Sequence, residues 1–290
     1  MKSFEGKVVV VTGAGSGIGR ATALKLGAEG ARLALNDWNA EALEETSTLL
    51  GNADVLVRAF SVAERKEWDA FRAEVMERFG TVDGIINVAG IAHEAVAIRH
   101  LRESDLDNVM QVNFWGVVHG TQTFLPDLLE RPEAFVANVS SIYGITAVGF
   151  QSAYCASKFA VRGFTEALSM EAKAHHPNLH VATIYPGGVA TNITGNSISA
   201  GSRTEEEREA DLEKFRTNLV TSPERAGETI VAGLRKKRAR ILIGTDAKVL
   251  DWMARLRPAG YIRTVLGELR KKGLVGDRPP APVAKEAIDV

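Results

Sequence analysis

Cysteine is almost absent: Cys155 is the single one in 290 residues. That excludes an intrachain disulfide, and with it the disulfide-stapled secreted scaffolds. Long apolar runs are missing too, since no stretch approaches the roughly 20 residues that span a bilayer, and no secretory h-region follows Met1. A cytoplasmic, reducing location is the expectation. The six histidines show no metal-ligand spacing, and His175-His176, ahead of Pro177, read as a solvent-facing helix end, so no metal site is expected. A large excess of one charge sign is also lacking: the net charge of -1 gives no reason to expect a nucleic-acid partner. The one dense basic run, Arg235-Lys236-Lys237-Arg238 with Arg240, falls at the end of an expected helix, where cations suit the dipole.

What is present is a chain 45% hydrophobic and long enough to bury one large core. Strand-like runs near residues 7–12, 31–36, 54–60, 83–88, 134–140, 179–185 and 240–243 alternate with helical patterns. Alternation of this kind predicts an α/β fold: a doubly wound, seven-stranded parallel sheet with helices on both faces. Ligands gather at the carboxyl ends of such strands, and Gly13, Asp37, Asn87, Ser141 and Pro186 all fall at or just past them. A single domain is expected over residues 1–245, followed by a helical extension over 246–272 and a disordered tail over 273–290 around Pro279-Pro280-Ala281-Pro282. In the extension Val249, Leu250, Trp252, Met253 and Leu256, then Tyr261, Ile262, Val265, Leu266 and Leu269, recur at helical spacing on either side of Pro258. Arg255, Arg257, Arg263, Arg270, Lys271 and Lys272 flank them. Two amphipathic helices follow, for core packing or oligomer contact, with a membrane-surface patch as the other reading.

The chemistry concentrates in a few places. If the segment from about Ser152 is helical, Tyr154 and Lys158 lie one turn apart on one face. An ammonium beside a phenol favours the phenolate and brings it toward working pH, which suits general acid-base catalysis. At the other end of the chain, the β-branched run Val8-Val9-Val10-Val11 feeds Thr12-Gly13-Ala14-Gly15-Ser16-Gly17-Ile18-Gly19 and then a helical pattern from Arg20 to Glu29. Strand, glycine turn and helix N-terminus together make an anion site. Its spacing, G-x-x-x-G-x-G, departs from the G-x-G-x-x-G fingerprint. Asp37 ends the next strand 24 residues after Gly13, where a carboxylate accepts hydrogen bonds from an adenosine ribose and repels a 2′-phosphate. Capping of the helix Ala40 to Leu50 by Asp37 or Asn39 is the compatible alternative.

These residues resemble the short-chain dehydrogenase/reductase family, in its single-domain dehydrogenase branch, from about Phe4 to Ile243. Five motifs stand in order: the glycine turn, Asn87-Val88-Ala89-Gly90, Asn113, Ser141 with Tyr154 and Lys158, and Pro186-Gly187-Gly188-Val189-Ala190-Thr191. The resemblance implies a Rossmann-type fold and hydride transfer to or from an alcohol or ketone, while Asp37, with no Arg or Lys directly after it and Ser16 in the turn, points to NAD rather than NADP as cofactor. In it Tyr154 is the acid or base, Lys158 also holds the nicotinamide ribose, and Ser141 holds the substrate oxygen, with Ser140 satisfying backbone. Asn113 holds a water linked to Lys158, and its amide bonding an earlier helix carbonyl is the compatible alternative. Gly13, Gly15, Ser16, Gly17, Ile18, Gly19, Asp37, Ser61, Val62, Asn87, Ala89, Gly90, Pro186, Gly187, Val189 and Thr191 complete the implied cofactor set. Two positions depart from the family pattern: Val88 replaces a second asparagine, and Ser61 stands where an aspartate usually meets the adenine.

The family's substrate loop corresponds to residues 192–218, and pocket candidates are His93, Tyr143, Phe150, Gln151, Gly188 and Ile193. A mostly apolar set with a few polar groups predicts a medium-sized, partly lipophilic substrate. The resemblance also implies a homo-oligomer, tetramer or dimer, through helices around 103–128 and 152–175. An NADP-linked carbonyl reductase and a nucleotide-binding scaffold with little turnover are the alternatives.

Overall fold

Strand β1, Val8–Thr12, is buried along its whole length, as a parallel strand covered on both faces must be. Its side chains alternate: Val9 and Val11 enter one core with Leu26, Leu33, Leu35, Ile184 and Ile230, whereas Val8 and Val10 enter a second with Trp68, Phe71, Phe124 and Val136. The period of two therefore divides the molecule into two apolar layers about one sheet. The computed structural model describes residues 2–191 and 221–271. The tail at 273–290 and the whole of the 192–218 interval, Ile193 included, lie outside the described residues.

The remaining strands are β2 Arg32–Asp37, β3 Val55–Ala59, β4 Gly84–Asn87, β5 Ala134–Val139, β6 Leu179–Pro186 and β7 Arg240–Ile243. They pair in the order β3-β2-β1-β4-β5-β6-β7, every neighbouring pair parallel. Each strand coincides with an expected run to within about two residues at its ends. The chain winds outward from β1 to β3, then returns past β1 to lay down β4 to β7. The reversal leaves a crevice at the carboxyl ends of β1 and β4.

Helices α1 Gly17–Gly27, α2 Ala40–Leu49, α3 Arg65–Phe79, α4 Glu103–Met110, α5 Gly116–Leu129, α6 Ser152–His175 and α7 Pro223–Arg235 cover the sheet. Helix α1 starts three residues ahead of the expected Arg20, because the last part of the glycine turn is already its first turn. Asn39 caps α2 by accepting Ala42 N–H at 3.0 Å, so the capping alternative for Asp37 falls to its neighbour. Between α4 and α5 the expected long helix carries a π-helical turn at Gln111–Trp115, a distortion that often marks functional sites.

Helices α8 Thr245–Leu256 and α9 Tyr261–Lys271 stand on either side of Pro258. They are tied to the body at three points. Asp246 Oδ2 accepts Gly188 N–H at 2.6 Å, Asp251 pairs with Arg240 at 2.5 Å, and Tyr261 Oη accepts Ala147 N–H at 3.1 Å.

Candidate active site

The turn from Gly13 to Gly17 leaves β1 at the switch point, and Gly13 and Gly17 have φ of +65° and +52°. Glycine adopts that region without the steric cost an L side chain meets. Ser16 is extended and exposed, its hydroxyl caps nothing, and no acid lies in the first turn of α1. Ser16 thus leaves the leading N–H groups of α1 uncapped, as an anion-binding terminus requires. Ile18 and Gly19 follow in the same first turn. The turn also draws other candidates inward. A Cβ on Gly15 would stand 2.8 Å from Asp37 Cγ, and one on Gly17 would stand 3.0 Å from the Thr191 methyl.

Asp37 is 8% exposed at the end of β2. Its carboxylate accepts Gly15 N–H at 2.9 Å and Asn39 N–H at 3.0 Å. It is a buried anion fixed to the glycine turn. The residues present therefore fit a dinucleotide: a backbone cradle, an uncapped helix N-terminus and a carboxylate at the ribose end.

The adenine-side candidates lie past β3. Ser61 Oγ accepts Ala63 N–H at 3.4 Å, and the Val62 carbonyl accepts the Trp68 indole N–H at 2.9 Å. That carbonyl is thus engaged within the protein. Asn87 is turned into the sheet: its amide donates to Asn138 Oδ1 at 2.8 Å and to Thr121 Oγ1 at 3.3 Å. Its side chain braces β4 against β5 instead of facing the crevice.

Thr12 escaped the sequence reading as an individual residue, having been seen only as part of the turn. Its Oγ1 accepts both Val88 N–H at 3.0 Å and Ala89 N–H at 3.1 Å. One hydroxyl thereby holds the segment after β4 against the end of β1, and the Val88 departure leaves this brace intact. Thr12→Val removes the acceptor and keeps the shape, so two N–H groups lose their partner. The expected cost is about 1–3 kcal/mol of unfolding free energy, read by urea titration. A change near zero would mean that water replaces the hydroxyl.

Ser141, Tyr154 and Lys158 converge at the ends of β5 and α6. The Tyr154 hydroxyl lies near Ser141, whose influence lowers the phenol's pKa against burial, and Ser141 Oγ accepts Tyr143 N–H at 3.1 Å. Lys158 is 2% exposed. Its ammonium donates to the Val139 carbonyl at 3.0 Å and sits 5.6 Å from the Tyr154 ring centre. Ser140 donates to the Lys158 carbonyl at 2.8 Å, the backbone role expected of it.

Asn113 lies in the π-turn. Its amide donates to the Ile91 carbonyl at 2.9 Å and to Ser157 Oγ at 3.0 Å, and accepts Ile91 N–H at 2.8 Å. The alternative of a bond to an earlier carbonyl of its own helix is therefore corrected, because the amide crosses to another segment. Gly90 shows how tight the junction is: a Cβ there would be 3.1 Å from Asn113 Oδ1 and 3.3 Å from Lys158 Nζ.

One electrostatic expectation is reversed. Burial raises the Tyr154 phenol above its ordinary value, Ser141 only partly opposing it. The same burial pushes Lys158 down to about 8. With its ammonium turned to Val139, the lysine does not outweigh desolvation at the phenol. In this state Tyr154 is a proton donor.

Around this group, Tyr143 packs edge-on against Tyr154 with ring centres 6.3 Å apart, and its hydroxyl is pushed up to about 12 by burial. His93 is 2% exposed, with Nδ1 against the Glu94 carbonyl at 2.6 Å. Gln151 donates to the His93 carbonyl at 3.2 Å. Phe150 holds a positive φ of 67° and its carbonyl accepts Val96 N–H at 3.0 Å. Pro186 ends β6, and Gly187 N–H donates to the Ile243 carbonyl at 2.9 Å. Val189 pairs with Thr221.

Gly188 was expected toward the substrate, yet its N–H is taken by Asp246. A Cβ on Gly187 would overlap that carboxylate at 2.2 Å, so Asp246 fastens the turn after β6 from below. Reading the sequence missed Asp246, because an acid in the first turn of a helix is ordinary. The adjacent Gly244, with φ +93°, was the one local signal.

A family profile described as short chain dehydrogenase matches residues 7–201. The chain is 42% identical over 275 residues to SadH of Mycobacterium tuberculosis, covering 93% of this chain and 98% of that protein. It is 34% identical over 199 residues to levodione reductase of Leifsonia aquatica, covering 67% of this chain and 74% of that one. Among solved structures, a short chain dehydrogenase/reductase from Burkholderia phymatum in complex with NAD superposes with a TM-score of 0.77 at 26% identity, over 98% of this chain and all of that one.

Proposed function

The chain belongs to the short-chain dehydrogenase/reductase family, and on that premise we propose that it moves a hydride between NAD(H) and a medium-sized, partly lipophilic secondary alcohol or ketone. The observation that carries this reading is the junction of Ser141, Tyr154 and Lys158 with Asn113 beside Gly90, within one crevice with the glycine turn. Bound there, the nicotinamide supplies the hydride chemistry. The protein's own groups supply the rest. Tyr154 gives its proton to the carbonyl oxygen during reduction and takes the hydroxyl proton during oxidation. Ser141, with a hydroxyl that both donates and accepts, holds that oxygen as its charge changes. Lys158 brings a cation to the phenol once its ammonium turns from Val139 toward the crevice. Asn113 fixes the Ile91 segment and Ser157, and so the height of α6 beside the lysine.

Asp37 supports NAD as the cofactor, because a carboxylate already tied to Gly15 would meet a 2′-phosphate with like charge. The solved relative in complex with NAD is in keeping with this. Asp37→Ser is expected to lower the ratio of kcat/KM for NAD over NADP by about tenfold or more, each tenfold being ~1.4 kcal/mol. Steady-state kinetics with both cofactors reads it. Wild-type preference for NADP would refute the assignment. The lipophilic substrate class rests on the Tyr143 ring packed against the phenol, and a panel of alcohols and ketones followed by nicotinamide absorbance tests it. No turnover across that panel would leave the nucleotide-binding scaffold as the better reading.

A further inference from the structure

Helices α8 and α9 carry an apolar stripe that the described residues leave uncovered. On α8 only Ala247 is buried, while Val249, Trp252 and Leu256 are 56%, 65% and 60% exposed. Their spacing of i, i+3 and i+7 sets them on one side of the helix. Ile262, at the start of α9, is 57% exposed. The three tethers through Asp246, Asp251 and Tyr261 fix both helices to the body, so the stripe is held outward.

The charges around it that form no ion pair among the described residues have one sign. Lys248, Arg255, Arg257, Arg263, Arg270 and Lys271 are all exposed. The acids of the same segment are occupied: Asp246 by Gly188, Asp251 by Arg240 and Arg255, and Glu268 by Lys271. Lys248, Arg257 and Arg263 form no ion pair among the described residues. In a chain of net charge -1, this is a local cationic and apolar surface.

We propose that this face docks on the surface of an anionic lipid bilayer. Trp252, Leu256 and Ile262 enter the boundary between headgroups and acyl chains, and the arginine stems lie along the apolar surface with their guanidinium groups at lipid phosphates. A second copy of the chain is the poorer occupant, because a two-fold contact would set the same cationic patch against itself. Helix α8 leaves the carboxyl end of β7, so it starts on the side of the sheet where the carboxyl ends of β1 and β4 form the crevice. The proposal does not rest on the hydride-transfer reading.

Vesicle flotation of the full chain tests it, with phosphatidylcholine alone and with added phosphatidylglycerol. The expected result is a bound fraction several-fold higher on the anionic vesicles, falling as salt screens the contact. The pair Trp252→Ser with Ile262→Ser and the pair Arg257→Glu with Arg263→Glu should each lose that binding while keeping the wild-type melting temperature. Two results would overturn the proposal. One is no preference for anionic vesicles. The other is that the apolar pair changes the mass seen by light scattering without changing vesicle binding, which would make the face a self-contact.

Discussion

Replacing Tyr154 with phenylalanine is expected to lower kcat by on the order of 10²- to 10⁴-fold, the span usual for a lost general acid or base, while the dissociation constant for NAD stays within a few-fold of wild type. The reason is local. Phenylalanine keeps the ring that packs edge-on against Tyr143 and deletes only the hydroxyl that lies near Ser141. The glycine turn, Asp37 and Lys158 are untouched. Direction of reaction adds a signature. Burial holds the phenol above its ordinary value, so at neutral pH it is protonated and ready for reduction, whereas oxidation first requires that proton to leave. The oxidation rate of the wild type should therefore climb with pH and the reduction rate should fall, and the variant should lose both trends. Turnover near the wild-type level in Tyr154→Phe would remove the tyrosine from the proposed chemistry.

The strands were readable because a parallel sheet covered on both faces writes itself as continuous apolar runs. Val8-Val9-Val10-Val11 and the fully buried β5 are such runs. The turn after β1 was readable for a related reason, since close backbone approach leaves glycine as the residue that fits at Gly13, Gly15 and Gly17. What could not be read was the direction in which polar side chains turn. Asn87 and Asp37 both end a strand, yet one braces the sheet through Asn138 and the other reaches the glycine turn. Nothing in their local sequence separates these outcomes, because each is decided by a strand or turn distant along the chain. The protein partner of Asn113 could not be read on the same account: its amide, in a π-turn, meets Ile91, and π-turns have no strong local signature. The tie between Asp246 and Gly188, 58 residues apart, depends on where β7 ends against β6. The balance of burial and charge at Tyr154 likewise depends on where the lysine ammonium points, which spacing along a helix does not specify.

Lys158 extends that point to stability, because the same burial that readies the site works against the fold. Its ammonium, 2% exposed, has the Val139 carbonyl as its hydrogen-bond acceptor and, among the described residues, no carboxylate in an ion pair with it. Removing such a cation in favour of an apolar side chain of similar length relieves desolvation. Lys158→Met is therefore expected to raise the unfolding free energy of the cofactor-free protein by about 1–3 kcal/mol while lowering turnover on the order of 10²-fold or more. The pH dependence follows from the direction of the shift. Burial lowers the folded-state value from 10.5 to about 8, so between those values the unfolded chain binds more protons than the folded one. Stability contributed by this group must then rise with pH across that window and be at its lowest below it. Thermal melts from neutral to alkaline pH should show this rise in the wild type, superimposed on the titration of other groups, and show less of it in Lys158→Met. A variant that is less stable than wild type, with an unchanged alkaline slope, would mean that the lysine is held by stronger contacts than the Val139 carbonyl. A more stable and less active variant would identify Lys158 as a charge that the fold tolerates for the sake of the crevice.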